Sequence, residues 1–240
     1  MTDQKSEFTE GHIVRSYDAE LDRLRTLLLE MGGLVVDQIG QAVNALTEKD
    51  RERSETVVRR EEDVNRYDIE AEELVLHVLA KRQPMGMDLR AIMAITRAVT
   101  DLERCGDEAK KIAKIARRRL EDDPKVVEAF SIAADNMGAL AAGLLKSAVE
   151  ALDEADEEKA IQSAQADAHL DAEYKLALRN IHSALISNPS LIEVATDLVI
   201  VTKALERIGD HAKNIAKYVV FIVQGKDVRH VKTKALDKEI

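Results

Sequence analysis

Tryptophan is absent from this 240-residue chain, cysteine occurs once, proline three times, and aromatic residues make up only 3%. One cysteine cannot form an internal disulfide, so a disulfide-stapled scaffold is excluded. With so few aromatic rings, the core has to be built from aliphatic side chains. The chain also lacks any apolar run long enough to cross a bilayer. The stretches Leu198–Val201 and Tyr218–Val223 fall far short of the ~20 residues a spanning helix needs, so membrane contact is expected to be peripheral only. The segment from Met1 through Glu10 is polar and has no apolar signal-peptide core, which leads us to expect a cytoplasmic protein. The formal net charge is −10, and no basic stripe is evident along the sequence. Such a chain repels a phosphate backbone, so nucleic acid is not an expected partner.

What the sequence does hold is helix-forming material. Hydrophobic residues make up 45% and charged residues 33%, in a mixture rich in Ala, Leu, Glu, Lys and Arg that favours helices over strands. From Tyr17, residues recur at steps of three and four through Leu21, Leu24, Leu28, Met31, Val35, Gln38, Ala42 and Ala45, with Gln38 the one polar member, the seam of a long amphipathic helix. A second stripe runs through Val57, Val64, Tyr67, Ala71, Leu74 and Val78 after the polar turn Thr47–Asp50. Pro84, Pro124 and Pro189 fall between helical patterns, where the missing amide donor does least harm. Asp123 before Pro124 reads as an N-cap, Ser190 with Glu193 as a capping box, and Gly225 as the stop of the last helix. Met85, Met87 and Met93 around the Pro84 turn read as packing residues, and Cys105 as a small core hydrophobe.

Shifted by 106 residues, the sequence superposes Met31-Gly32 on Met137-Gly138, Ala45-Leu46 on Ala151-Leu152, and Glu48 and Asp50 on Glu154 and Asp156. At an offset of 103, Leu102–Ala113 aligns with Leu205–Ala216, and nine of the twelve positions are identical. The expected fold is therefore all-α: two homologous three-helix bundles with six long helices, the first copy covering residues 1–122 and the second 123–240.

Within that repeat, Glu103 and Asp107 stand four apart on one helix, as do Glu206 and Asp210, so each pair shares a face. The second helix of each copy offers Glu61, Asn65, Asp68 and Glu72, or Asp167 and Asp171. These acids are displaced from the apolar seams and are expected to face outward or into a groove. Rows of like charge repel unless something neutralises them. A hard or borderline cation such as magnesium, manganese or iron, and less typically zinc, suits such oxygen ligands. Arg104 and Arg207, within reach of Asp101, Asp107 or Asp210, offer a metal-free alternative. Gly106 and Gly209 between the paired carboxylates disfavour the helix by about 1 kcal/mol each relative to Ala, and their recurrence implies that something approaches the backbone closely there. His169 and His211 lie beside the acidic rows but do not repeat.

The doubled Leu-Glu-Arg-x-Gly-Asp sequence, Met31-Gly32-Gly33, Ala80–Pro84 followed by Asp88-Leu89-Arg90, and Gly225–Val231 together resemble the PhoU family over nearly the whole chain. The resemblance implies a non-enzymatic helical regulator, often a homodimer, that represses the phosphate-starvation response and restrains phosphate uptake. Its implied partners are a phosphate-sensing histidine kinase and the ATPase subunit of the phosphate ABC transporter. It also implies divalent or trivalent metal ions, in clusters that can be multinuclear, held here by Glu61, Glu103, Asp107, Asp167, Asp171, Glu206 and Asp210. Asn65 stands where a second carboxylate would follow Glu61, which suggests the poorer site in the first copy. Arg82, Asp88 and Arg90 lack counterparts in the second copy and are candidates for docking a partner. A ferritin-like carboxylate metalloenzyme would need Glu-x-x-His pairs pointing into the bundle, and no histidine here has Glu three residues before it. A purely structural bundle is the other alternative, separable by metal analysis.

Overall fold

The computed structural model describes residues 15–120 and 124–231. Six helices follow in chain order: α1 (Arg15–Thr47), α2 (Arg51–Arg82), α3 (Gly86–Arg118), α4 (Pro124–Glu154), α5 (Glu157–Ser187) and α6 (Ile192–Gln224), with a 3₁₀ turn at Pro189–Leu191 before α6. No strand occurs among the described residues, so the all-α expectation holds. Local chemistry repeats with the sequence. Asp50 Oδ1 accepts a hydrogen bond from the Arg53 amide at 3.0 Å and Asp156 Oδ1 one from the Lys159 amide at 2.9 Å, capping α2 and α5 alike. The preceding residues Lys49 and Ala155 both take positive φ, so the turn between the first two helices of each copy has one geometry.

Asp123 lies outside the described residues. Before α6 the side-chain cap is that of the 3₁₀ turn, where Asn188 accepts from the Ser190 amide at 3.2 Å and from the Ser190 hydroxyl at 2.7 Å; α6 itself starts after Leu191 with no side-chain cap, and no Ser190–Glu193 box forms. The 3₁₀ turn inserted by Pro189 moves the first α-helical residue to Ile192. Gly225 ends α6 at φ 72°, its amide bonded to the Phe221 carbonyl, as a left-handed C-terminal residue should.

The core is aliphatic and continuous across both copies: Leu24, Leu28, Met31, Val35 and Ile39 of α1 join Met137, Leu145 and Leu152 of α4, and α3 joins α6 through Leu102, Ile112, Leu205 and Ile208. The two bundles thus share one interior. Cys105 is fully buried and its sulfur lies 4.0 Å from the Ile208 carbonyl, its own counterpart in the other copy. Met85 and Met87, expected to pack, are 82% and 43% exposed, because the turn that begins with Gln83 at positive φ carries them away from the seam.

Glycine makes the α1–α4 crossing possible. A Cβ on Gly32 would stand 3.0 Å from Val149 Cγ1, and one on Gly138 would stand 2.8 Å from Val43 Cγ2. Gly32 and Gly138 are repeat partners, as are Val43 and Val149, so the contact is made twice about an approximate two-fold axis. Val is stiff in a helix and cannot swing aside. Gly138→Val is therefore expected to destabilise the protein by about 2 kcal/mol or more. Gly143→Ala in the same helix, with nothing within 4 Å of its new Cβ, is expected to stabilise it by up to ~1 kcal/mol. Urea unfolding of both variants checks the pair; equal effects would remove the close-approach explanation.

Candidate metal centre

Each copy brings the second helix against the third at the repeated glycine. A Cβ on Gly106 would meet Val64 Cγ1 at 3.2 Å and Glu61 Oε2 at 3.6 Å; one on Gly209 would overlap Leu170 Cδ2 and meet Asp167 Oδ1 at 2.9 Å. What approaches the glycine is the carboxylate-bearing face of the neighbouring helix. Glu61 and Asp167 are consequently 3% and 6% exposed, not outward-facing as their offset from the apolar stripe suggested. Asp107 and Asp210, one residue beyond the glycines, stay about half exposed. Each site therefore has a buried floor and an open rim.

Glu61, Glu103 and Asp107 each offer an oxygen within 4.8 Å of the others. Burial pushes the Glu61 carboxyl up to about 7; the Lys110 ammonium pulls the other way, and a hydrogen bond with the Asp107 carboxyl, together with the Asp107 and Glu103 charges, adds to the rise. Burial, then Asp107, likewise raises Glu103, and burial, then Glu72, raises Asp68. Glu61 Oε2 has no hydrogen-bond partner, although an unsatisfied buried oxygen is costly. Lys110, the cation nearest, stands 3.6 Å from Glu61 Oε1 and 4.0 Å from Asp107 Oδ1, too far for a hydrogen bond to either.

The second copy is arranged differently. Lys213, the repeat partner of Lys110, donates to Asp167 Oδ2 and Asp210 Oδ1 at 2.6 Å each. Burial works against the Lys213 charge, but those two hydrogen bonds outweigh it and lift the ammonium above the usual lysine range. Burial also raises Asp167, with Lys213 opposing. Glu206 pairs with Lys203, whose ammonium also lies 5.6 Å from the Tyr174 ring centroid. The first copy has Thr100 and Asp68 at the positions of Lys203 and Tyr174. Asp171 is half-buried and acts on Asp167 through space, while Asn65, at the matching place, is exposed. The better-gathered carboxylates thus belong to the first copy, where Asn65 suggested the poorer site, because two lysines neutralise the second.

Neither arginine of the repeated motif pairs as expected. Arg104 lies 3.4 Å from Glu103 and Arg207 lies 3.1 Å from Glu108, while Asp101 is held between His211 Nδ1 and the Tyr218 hydroxyl, each 2.7 Å away. His211 is thereby turned across the α3–α6 junction. Both lysines stand three residues after the aspartate in the aligned twelve-residue segment, so a neutralising role was readable there and was missed. The docking candidates have intramolecular contacts as well. Arg82 donates to Glu20 Oε2 at 2.7 Å and to the Ser16 hydroxyl at 2.8 Å, Asp88 Oδ2 accepts from the Tyr17 hydroxyl at 2.9 Å, and Arg90 donates to the Ile222 carbonyl at 2.9 Å. They pin the α2–α3 turn to α1 and to the end of α6.

A family model described as "PhoU domain" matches residues 28–116 and again 134–219. A phosphate-specific transport system accessory protein PhoU homolog of Pseudomonas aeruginosa is 36% identical over 95% of this chain and 94% of its own length. The phosphate-specific transport system accessory protein PhoU of Escherichia coli is 30% identical over 95% and 93%. Among solved structures, PhoU from Pseudomonas aeruginosa superposes with a TM-score of 0.82 at 35% identity, covering 88% of this chain and 100% of that one. The phosphate transport system regulatory protein PhoU from Streptococcus pneumoniae gives 0.79 at 28%, covering 88% and 99%.

The raised Glu61 carboxyl sets a pH dependence for the protein held in chelator. Between about pH 4.5 and 7 the folded state retains a proton that the unfolded state releases, so stability falls as pH rises through that window. Glu61→Gln is expected to flatten the slope and to be more stable by about 1–2 kcal/mol above pH 7. Urea midpoints measured from about pH 5 to 8 that keep the same slope in both proteins would show that Glu61 is not the group responsible.

Proposed function

The chain belongs to the PhoU family, and on that footing we propose that it is an accessory regulator of a phosphate-specific transport system. PhoU proteins are named as accessory and regulatory proteins, not as enzymes, and the shared aliphatic interior leaves the carboxylates at the helix contacts and not in a reaction chamber. In this reading the protein is a cytoplasmic adaptor, working as a homodimer between the transporter's ATPase subunit and a sensor histidine kinase and restraining the phosphate-starvation response. No described helix is long and apolar enough to cross a membrane, which accords with access to membrane partners from the side.

The observation that carries the regulatory reading is the first-copy cluster. Glu61, Glu103 and Asp107 fit a divalent or trivalent cation: three oxygens converge, one buried oxygen lacks a partner, and the nearest lysine stands back. Oxygen donors of this kind select manganese, magnesium or iron over softer ions. A bound cation supplies the positive charge that lets all three carboxylates stay ionised at once. Glu61 holds the floor of the site, and Glu103 and Asp107 hold its rim, where a partner reaches. Asp167, Asp171, Glu206 and Asp210 form the second candidate site, in which Lys203 and Lys213 compete for the same oxygens. Arg82, Asp88 and Arg90 act in partner docking by holding the α2–α3 turn in shape.

Two experiments test this. Calorimetric titration of the chelator-stripped protein with Mn²⁺ is expected to give a first-copy site that Asp107→Asn weakens at least about tenfold, ~1.4 kcal/mol, while Asp210→Asn changes that site little. In a strain lacking its own such regulator, the chain is expected to restore repression of a phosphate-starvation reporter in replete phosphate, and Glu103→Ala with Asp107→Ala to restore it less. Normal repression by the double variant would separate the cluster from regulation.

A further inference from the structure

A second feature lies on the far side of Asp107. Arg104, Lys110, Lys111 and Lys114 of α3 and Arg207 of α6 line a cavity of about 350 Å³ at the junction of the two copies. Its other lining residues are Asp107 and Glu108; Arg104 also stands 3.4 Å from Glu103 and Lys110 3.6 Å from Glu61, so five cations meet four carboxylates, a local excess of positive charge in a chain whose net charge is −10. Four of these cations fall within residues 104–114 of the sequence, and the fifth, Arg207, comes from the other repeat, 93 residues beyond Lys114.

The arrangement is supported from beneath. Glu108 is 7% exposed and accepts from Lys111 Nζ at 2.6 Å and Arg207 Nη1 at 3.1 Å, fixing one cation from each copy on a single buried carboxylate. Lys114 is exposed and has no ion-pair partner among the described residues. The repeat-related place on α6 does not duplicate the cluster. Asn214 replaces Lys111 and His211 replaces Glu108, while Lys217, the counterpart of Lys114, is buried and donates to the carbonyls of Arg229 and Val231. Folding of a two-fold duplicated bundle does not demand such a concentration on one side.

We propose that this cleft binds a compact multivalent phosphoryl anion, a chain of two or three phosphoryl groups. Forked guanidinium groups and lysine ammonium groups are the donors that take phosphoryl oxygens. The volume sits at the low end of the range for small-molecule pockets, roughly 300 to 1,000 Å³, enough for more than one tetrahedral group. Every lining residue is charged, so no apolar wall receives a base or a lipid tail, and the anionic chain itself is what the cleft recognises. Binding here uses Lys114 and Arg207, which stand outside the metal cluster, and it does not depend on that cluster holding a cation.

The test is calorimetric titration of the full chain in EDTA, so that no metal bridges ligand and protein, with orthophosphate, pyrophosphate, tripolyphosphate, ATP and citrate. Tripolyphosphate is expected to bind saturably at one per chain, more tightly than orthophosphate, and less tightly as salt is raised. Lys114→Gln, an exposed change that leaves the fold intact, and Arg207→Gln are each expected to weaken it about tenfold. ATP matching tripolyphosphate assigns the chain to a nucleotide, and ATP binding much more weakly assigns it to a free inorganic chain. The proposal is overturned by no saturable binding below about 1 mM, by unchanged affinity in Lys114→Gln, by citrate binding as tightly, or by an acidic peptide or duplex DNA displacing tripolyphosphate at lower concentration.

Discussion

Bringing the second helix of each copy to van der Waals distance of the third, at a residue with no side chain, decides most of what is distinctive in this molecule. At Gly106 and Gly209 the neighbouring helix comes close enough to press an acidic side chain into the contact. A carboxylate so placed loses most of its water, and an unpaired charge in that position is expensive. The site must then take up a proton, a lysine or a metal cation, and the two copies make different choices among these. The helix penalty of glycine is small beside the close packing it permits, since alanine would drive Cβ to 2.9 Å from Asp167 Oδ1.

In the second copy the choice is built in. Lys213 reaches both acids at hydrogen-bond distance, and Lys203 engages Glu206. Breaking such a pair costs more than forming it gains, because the remaining charge is stranded. The first copy keeps Lys110 at the edge of reach and has Thr100 where Lys203 would stand, so burial and the neighbouring carboxylates raise Glu61 and Glu103. Duplication supplied one scaffold, and a few substitutions at equivalent positions gave one side a standing counter-ion and left the other able to respond to its surroundings.

The fold was readable in the sequence because it rests on periodic, local information. Aliphatic spacing along Leu21, Leu24, Leu28 and Met31, prolines at the breaks and an aspartate cap repeated 106 residues on each report on the helix that contains them. The site was readable in part. Spacing put Glu103 and Asp107 on one face, but the burial of Glu61 depends on how closely α2 passes Gly106, which no single-helix pattern contains. The recurrent glycines were the available sign, and the close approach they implied came from the acid-bearing helix itself. Lys110 and Lys213 were visible as identities in the repeat, but which acids each reaches is set by the approach of the neighbouring helix. The Arg207–Glu108 and His211–Asp101 pairs join residues roughly a hundred positions apart, and only the packing of α3 on α6 brings them together.

That same packing links regions otherwise separate in the chain. α3 carries the first-copy acids on one flank and the lysines of the cationic cleft on another, and Asp107 and Lys110 border both. Across the junction, α6 contributes Arg207 to the cleft and Asp210 to the second acidic site, three residues apart and so nearly one turn along the same helix. Cys105 and Ile208 are both fully buried where the two helices meet, the sulfur 4.0 Å from the carbonyl, so a shift of α3 against α6 would disturb close-packed side chains. Both acidic sites and the cationic cleft are therefore carried on two helices that pack against each other in the interior both bundles share.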